Sequence, residues 1–191
     1  SGFQARSQLE AICSVRDIKQ AKVFSRREER RTDFAGRMSE RLQIDIEPVS
    51  TSEECVFNSD IVVTITSARE PVFKGDSLKQ GAHVNAAGSN HWMRAEIDET
   101  TISRSSLIVV DDLEQAKVEC GDLLSAEARG MFRWDMAQEL RDVIGGRISG
   151  RSSNDNITLF ESMGVALEDI AAAQFVYHKA VEQGVGQQLP F

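Results

Sequence analysis

Ile61-Val62-Val63-Thr64 is β-branched throughout, the composition of an inner parallel strand buried on both faces. Working outward, Gly81-Ala82-His83-Val84-Asn85-Ala86 supplies a second strand, and Leu107-Ile108-Val109-Val110 a third that ends at Asp111-Asp112. On the amino-terminal side, Ala21-Lys22-Val23-Phe24-Ser25 reads as a strand. It is followed by a charged helix from Arg27 to Leu42 that sets Phe34 and Met38 one turn apart on an inner face. Ile44-Asp45-Ile46-Glu47-Pro48 alternates like a half-buried strand and stops at proline, and Ser52 with Glu53 and Glu54 opens a short helix, acidic residues being favourable at its positive end. Before all of these, Ala5, Leu9, Ile12 and Cys13 recur at helical spacing between Phe3 and Ser14. Strand and helix in turn predict an α/β fold, a parallel sheet with right-handed crossovers and flanking helices.

After Asp112 no further strand is predicted. Glu114 to Ala128 and Met136 to Ile144 are helical in character, and Gly145 to Arg151 is a loop too rich in glycine to continue either. A long last helix from Ser162 to Gln183 carries Val165, Leu167, Ile170, Phe175 and Val176 on a broad apolar surface that must pack on something large. The division expected is a sheet domain over residues 1–150 and a carboxy-terminal helical segment over 151–191.

The 191 residues are 41% apolar with a net charge of −8. The apolar share supplies a substantial core. The negative charge argues against a nucleic-acid surface, which needs Lys and Arg clustered across a face. No run approaches the ~18 continuous apolar residues of a membrane span. Cys13, Cys55 and Cys120 are odd in number and without a Cys-x-x-Cys pair, which fits a reducing, cytoplasmic setting with thiols as small core residues. Neither they nor the scattered histidines have metal-ligand spacing, so no metal site is expected. Asp111-Asp112 reads as the cap of the next helix, and Trp92 and Trp134 as packing residues.

Ser1-Gly2-Phe3-Gln4-Ala5 has the form of the back half of a glycine-rich nucleotide turn, with the first strand of a Rossmann-type sheet expected upstream of residue 1. Gly2 lets backbone approach a pyrophosphate, and the amides near Phe3, Gln4 and Ala5 can donate to its oxygens. The next strand ends at Ser25-Arg26, where a dinucleotide fold meets the adenosine ribose. A carboxylate there would bind the ribose hydroxyls. A hydroxyl followed by Arg26 and Arg30 suits a 2′-phosphate, so NADP(H) is expected over NAD(H). Arg27 and Arg31 read as a solvated helix face. Thr64, Thr66 and Ser67 follow one buried strand, and Asn85, Ala86 and Gly88 belong to another, so small side chains are expected to converge on one crevice.

Taken together, Gly2-Phe3-Gln4-Ala5, Phe24-Ser25-Arg26, Asp60 to Ser67 with Glu70-Pro71, and Gly81 to Gly88 resemble the ornithine cyclodeaminase and mu-crystallin family. Glu96-Ile97-Asp98 and the run from Gly150-Arg151 through Ile157 to Asp169 agree with it as well. The resemblance implies a nicotinamide-binding Rossmann domain joined to a substrate and dimerisation domain built largely from an amino-terminal half, on which the last helix packs, in a homodimer. It implies action on an amino acid or cyclic imine, by hydride transfer or by loss of ammonia, although some relatives are chiefly binding proteins. It places Ser162 near the nicotinamide and Arg94 near substrate or cofactor; a helix cap and a surface position are their plain alternatives.

One position departs from the pattern. Cyclodeaminases of this family carry an aspartate where this chain has Asn90, and asparagine cannot act as a general base. The expectation is therefore an NADP(H)-dependent imine reductase or amino-acid dehydrogenase, with Asn90 orienting substrate or water at the catalytic position. A cyclodeaminase-type lyase and a non-catalytic binding protein are the alternatives. His91 could carry protons in its place; His83 and His178 read as strand-start and exposed-helix residues.

Overall fold

The structure, a computed structural model, describes residues 1–190. Helix α1 (Phe3–Val15), strand β1 (Gln20–Val23), α2 (Glu28–Leu42) and β2 (Asp45–Pro48) form the first unit. Strands β1 and β2 pair in parallel as a separate two-stranded sheet. The inner face of α2 buries Phe34, Ala35 and Met38 against Val23 and Ile46, and the helix ends where Gln43 turns left-handed at φ 56°. The short α3 (Ser52–Val56) follows, held by a reciprocal capping box between Thr51 and Glu54.

A second, five-stranded parallel sheet holds β3 (Ile61–Thr64), β4 (His83–Ala86), β5 (Ser105–Val110), β6 (Ala137–Glu139) and β7 (Ile157–Glu161), in the spatial order β3-β4-β7-β5-β6. Helices α4 (Glu99–Arg104), α5 (Leu113–Glu119), α6 (Gly121–Ala128) and α7 (Leu140–Ile144) connect and flank it. Val84, Leu159 and Ile108 stand in one row across its centre and are 0%, 0% and 2% exposed. Each such side chain removed from water is worth about 2 kcal/mol, and the row anchors the larger of two core clusters. The α/β class and the parallel sheet expected from the pattern are thus present, divided into two sheets.

Several carboxy-terminal expectations are corrected. The strands do not end at Asp112: β7 lies in the middle of the sheet, between β4 and β5, and β6 forms its edge. The sheet therefore takes in residues beyond 150. The helix expected over 114–128 breaks at Cys120, which is extended at ψ 94°, and the Gly121 amide donates to the Ser89 carbonyl at 3.1 Å instead of continuing the helix. Residues 137–139 pair with β5 instead of being helical. The last helix, α8, spans Ala166–Gln183 and leaves Ser162 outside it. Leu167, Ile170, Phe175 and Val176 on α8 are all more than 60% exposed. Trp92 is 64% exposed and stacks on His91 rather than packing in the core, whereas Trp134 meets Phe132 edge to face. Among the described residues, no helix is long and apolar enough to cross a membrane.

Candidate functional site

A cleft of about 1280 Å³ runs between the two sheets. Its walls follow β1 on one side, from Gln20 to Val23, and β3 on the other, from Ile61 to Thr64. The segments that follow the two strands, Phe24 to Arg26 and Ile65 to Ser67, line it too, at the strand ends where open α/β sheets bind ligands. The amino end of α1 meets the cleft there through Ser1, Gly2, Gln4 and Ala5. That end carries no side-chain cap and no acidic residue in its first turn, so the amide groups and the positive end of the dipole are free to meet an anion. A Cβ built on Gly2 would meet no protein atom within 4 Å. The space left by this glycine is open to a ligand. Phe3 is 84% exposed and lies outside the lining; of the turn residues selected from the sequence, its side chain is the one the cleft does not include.

Ser25, Arg26 and Arg30 line the same cleft. Arg31 does not behave as the solvated residue expected: its side chain is 13% exposed, and its guanidinium donates to the Ser25 carbonyl at 3.1 Å and pairs with Glu28 at 3.7 Å. It braces the turn that presents Ser25 and Arg26. Arg27, at the residue before α2, is exposed and its side chain makes no cap bond.

Thr64, Thr66, Ser67, Gly88, Asn90 and Arg94 face the cleft from the second sheet. Thr64 is 5% exposed and its hydroxyl has no hydrogen-bond partner. Such a buried orphan suits a ligand that supplies one. The Thr66 hydroxyl accepts from the Ala68 amide at 3.1 Å and keeps its own proton to donate. Arg94 donates to Asn90 Oδ1 at 2.8 Å. Because a guanidinium has no acceptor, this bond fixes the amide and leaves the Asn90 nitrogen as a donor. His91 accepts from the Met93 amide through Nδ1 at 3.2 Å.

Asn85, Ala86 and Ser162 form a neighbouring layer that does not line the cleft. Asn85 Oδ1 lies 3.0 Å from His83 Nε2, so that nitrogen carries the proton while Nδ1 faces the Thr158 hydroxyl at 2.7 Å. Burial lowers the pKa of His83 and favours this neutral form. The Ala86 carbonyl accepts from the Ser162 amide at 2.9 Å. Asp111, expected as a cap, instead accepts from the Ser162 hydroxyl at 3.3 Å and from the Met163 and Gly164 amides at 2.7 and 2.6 Å. Asp112 alone caps α5, accepting from Gln115 at 2.8 Å.

Beneath the cleft lies a group that the sequence pattern does not single out as a unit. Glu96, Asp122 and Glu161 are 0%, 2% and 0% exposed. Glu96 accepts from the Thr66 amide at 2.5 Å and from the Gly88 amide at 2.7 Å. Asp122 Oδ1 accepts from the backbone of Glu96 and Ile97 at 2.8 and 3.1 Å. Glu161 accepts from Ser89 at 3.2 Å and from the Cys120 thiol at 3.6 Å. Asp122 Oδ2 and Glu161 Oε1 have no partner. Burial pushes Asp122 up from 3.8 to about 6, and raises Glu161 well above the usual carboxylate range, with Asp122 and Glu96 adding to the effect. Cys120 rises for the same reasons, burial first and Glu161 second. No arrangement of three or more His, Cys, Asp or Glu side chains among the described residues could hold a metal ion.

Comparison with known proteins places this geometry. The ornithine cyclodeaminase/mu-crystallin family profile matches residues 1–184. A Δ1-pyrroline-2-carboxylate reductase of Bacillus cereus is 36% identical over the whole chain, which spans 59% of that protein. The Δ1-pyrroline-2-carboxylate reductase of Thermococcus litoralis, solved with NADH and L-proline, superposes over 98% of this chain and 58% of its own with a TM-score of 0.94 at 38% identity. An archaeal alanine dehydrogenase dimer with bound NAD superposes over 100% of this chain and 58% of its own, with a TM-score of 0.89 at 35% identity. The chain thus spans under two thirds of the length of these relatives.

Proposed function

Because the chain belongs to the ornithine cyclodeaminase/mu-crystallin family, we propose that it is the coenzyme-binding part of an NAD(P)(H)-dependent oxidoreductase acting on a small amino acid or cyclic imine. The observation that carries this reading is one cleft lined by the bare amino end of α1, the Ser25-Arg26 turn and the Thr64 and Gly88 loops. In the proposed pose, the amides after Gly2 hold the pyrophosphate, Ser25, Arg26 and Arg30 hold the adenosine end, and Thr64, Thr66, Ser67 and Gly88 border the nicotinamide. Asn85, Ala86 and Ser162 support that last border from behind. The coenzyme, when bound, supplies the hydride. Asn90 offers an N–H donor and Arg94 a positive charge at the place where substrate would meet it. The relatives solved with NADH and L-proline and with NAD agree with a nicotinamide coenzyme and an amino-acid-sized substrate.

The preference we propose is NADP(H). At the end of β1 the cleft is lined by Ser25, Arg26 and Arg30 and not by Glu28 or Glu29, so guanidinium groups stand where a carboxylate would accept from ribose hydroxyls. Arg26→Ala is expected to raise the Kd for NADPH about tenfold or more, the effect of losing about 1.5–3 kcal/mol from one charged hydrogen bond. The Kd for NADH should change little. Equal losses for both coenzymes would remove Arg26 from phosphate recognition.

We further propose that the protein completes the fold outside residues 1–191. A strand between β1 and β3 would fill the lower cleft: β1 already pairs in parallel with β2, and a right-handed crossover into α1 puts its feeding strand beside β1. The apolar face of α8 would pack on a substrate and dimerisation domain, in a homodimer. The test of the whole reading is a fluorescence titration with NADPH and NADH, followed by turnover of small cyclic imine carboxylates and amino acids. Binding with turnover supports it. Binding without turnover on any of them leaves a binding protein, and release of ammonia from a diamino acid would return the lyase that Asn90 argues against.

A further inference from the structure

We infer that Glu96 is a positioning residue for the nicotinamide end of the coenzyme, joining the Thr66 and Gly88 loops into one preformed wall; this rests on the dinucleotide reading of the cleft. The carboxylate has one oxygen for each loop: Oε1 takes the Thr66 amide after β3, and Oε2 takes the Gly88 amide after β4. Each oxygen accepts from the amide of a different loop, so one carboxyl group serves both. The two amide bonds offset part of the cost of burying it completely. The residue's own backbone is fixed as well. Its amide donates to Asp122 at 2.8 Å and its carbonyl accepts from Val72 at 2.9 Å, so four separate segments of the chain meet at this residue.

The contact between the loops is close enough to select glycine. A Cβ on Gly88 would lie 2.3 Å from the Thr66 carbonyl oxygen, 2.5 Å from its nitrogen and 2.6 Å from the Glu96 carboxyl carbon. The wall that carries the unpartnered Thr64 hydroxyl, the Thr66 hydroxyl and Asn90 is therefore set before a ligand arrives, which is what a hydride donor and acceptor require. The adenosine end depends on other elements: α1 and the β1–α2 turn make no hydrogen bond to Glu96.

Glu96→Gln separates the two ends. Glutamine has nearly the same shape but offers one oxygen, so one loop amide faces an NH₂ group and loses its acceptor. The Kd for NADPH should rise about tenfold and kcat should fall up to about 100-fold. The Kd for 2′,5′-ADP, a probe of the adenosine half, should stay within about twofold. Unchanged NADPH binding and kcat, or parallel losses for both probes, would overturn the inference; a wild-type protein that binds neither probe would instead overturn the coenzyme reading. Hydrogen exchange of the unliganded wild type keeps the test independent of the variant's folding. Peptides covering residues 65–68 and 87–90 should exchange as slowly as those of β3 and β4, and exchange at the rate of open loops would refute a preformed wall.

Discussion

Replacing Gly88 by alanine is expected to destabilise the protein by about 3 kcal/mol or more and to abolish coenzyme binding. The added methyl would have three contacts at 2.3, 2.5 and 2.6 Å, all to backbone or to the buried Glu96 carboxyl. None of these is the free end of a flexible side chain. Relief requires the Thr66 loop to move or the Glu96 carboxylate to give up its bonds, and either movement opens the wall of the cleft. For a chain of this size the cost corresponds to a fall in Tm of about 6–12 °C. Gly164→Ala is the matched control: Gly164 has φ 80°, and a methyl added there would meet nothing within 4 Å, so only the left-handed backbone penalty of about 1–2 kcal/mol applies. Thermal unfolding of both variants, with NADPH titration, tests the difference. Equal shifts in Tm would show that the Thr66 loop yields to the added methyl, so that close contact does not select glycine at position 88.

The parts of the fold legible in the sequence are those encoded locally. Ile61 to Thr64 and Ile108 to Val110 announce buried strands by β-branching, and Phe34 and Met38 announce the inner face of α2 by spacing. Ile157 to Glu161 is similarly apolar, but its place between β4 and β5 is a long-range fact that no local pattern states. Ala137 to Glu139 becomes a strand through its partner β5 alone; the residues themselves have little strand character. At the break at Cys120 the Gly121 amide bonds to the Ser89 carbonyl, again a tertiary contact.

The same division applies to the cleft. Gly2, Ser25, Arg26, Thr64, Thr66 and Asn90 are legible because strand ends and turns bring small or charged side chains to a known edge of an α/β sheet. Arg31 has the sequence setting of any exposed helical arginine, and only its bond to the Ser25 carbonyl sets it apart. Glu96, Asp122 and Glu161 are not legible as a unit, because each sits on a different element and a lone acid in a sequence reads as surface. Their burial is visible once the sheet order places β7 beside β4 and packs the start of α6 below the Gly88 loop.

Those carboxyls set the second large effect, a pH dependence of stability whose sign is opposite to that of an ordinary ion-paired acid. Asp122 is 2% exposed, its folded pKa is raised from 3.8 to about 6, and Oδ2 has no partner. The titratable groups around it are the acids Glu96 and Glu161 and the Cys120 thiol, with the Ser89 hydroxyl beside them. A raised folded pKa means that the folded state binds the proton more tightly than the unfolded chain. The stabilisation is therefore fully present below pH 3.8 and is lost as pH rises through about 6. A rise from 3.8 to about 6 corresponds to about 3 kcal/mol. Asp122→Asn retains an acceptor for the Glu96 and Ile97 amides and has no proton to lose. The variant should match the wild type in acid and exceed it at neutral pH by about 3 kcal/mol, or about 6–12 °C in Tm. Unfolding curves of the two proteins measured from pH 4 to pH 8 test this directly. A difference that does not grow with pH would mean that Asp122 stays ionised in the fold, with the two backbone amides alone sufficient to hold the buried charge.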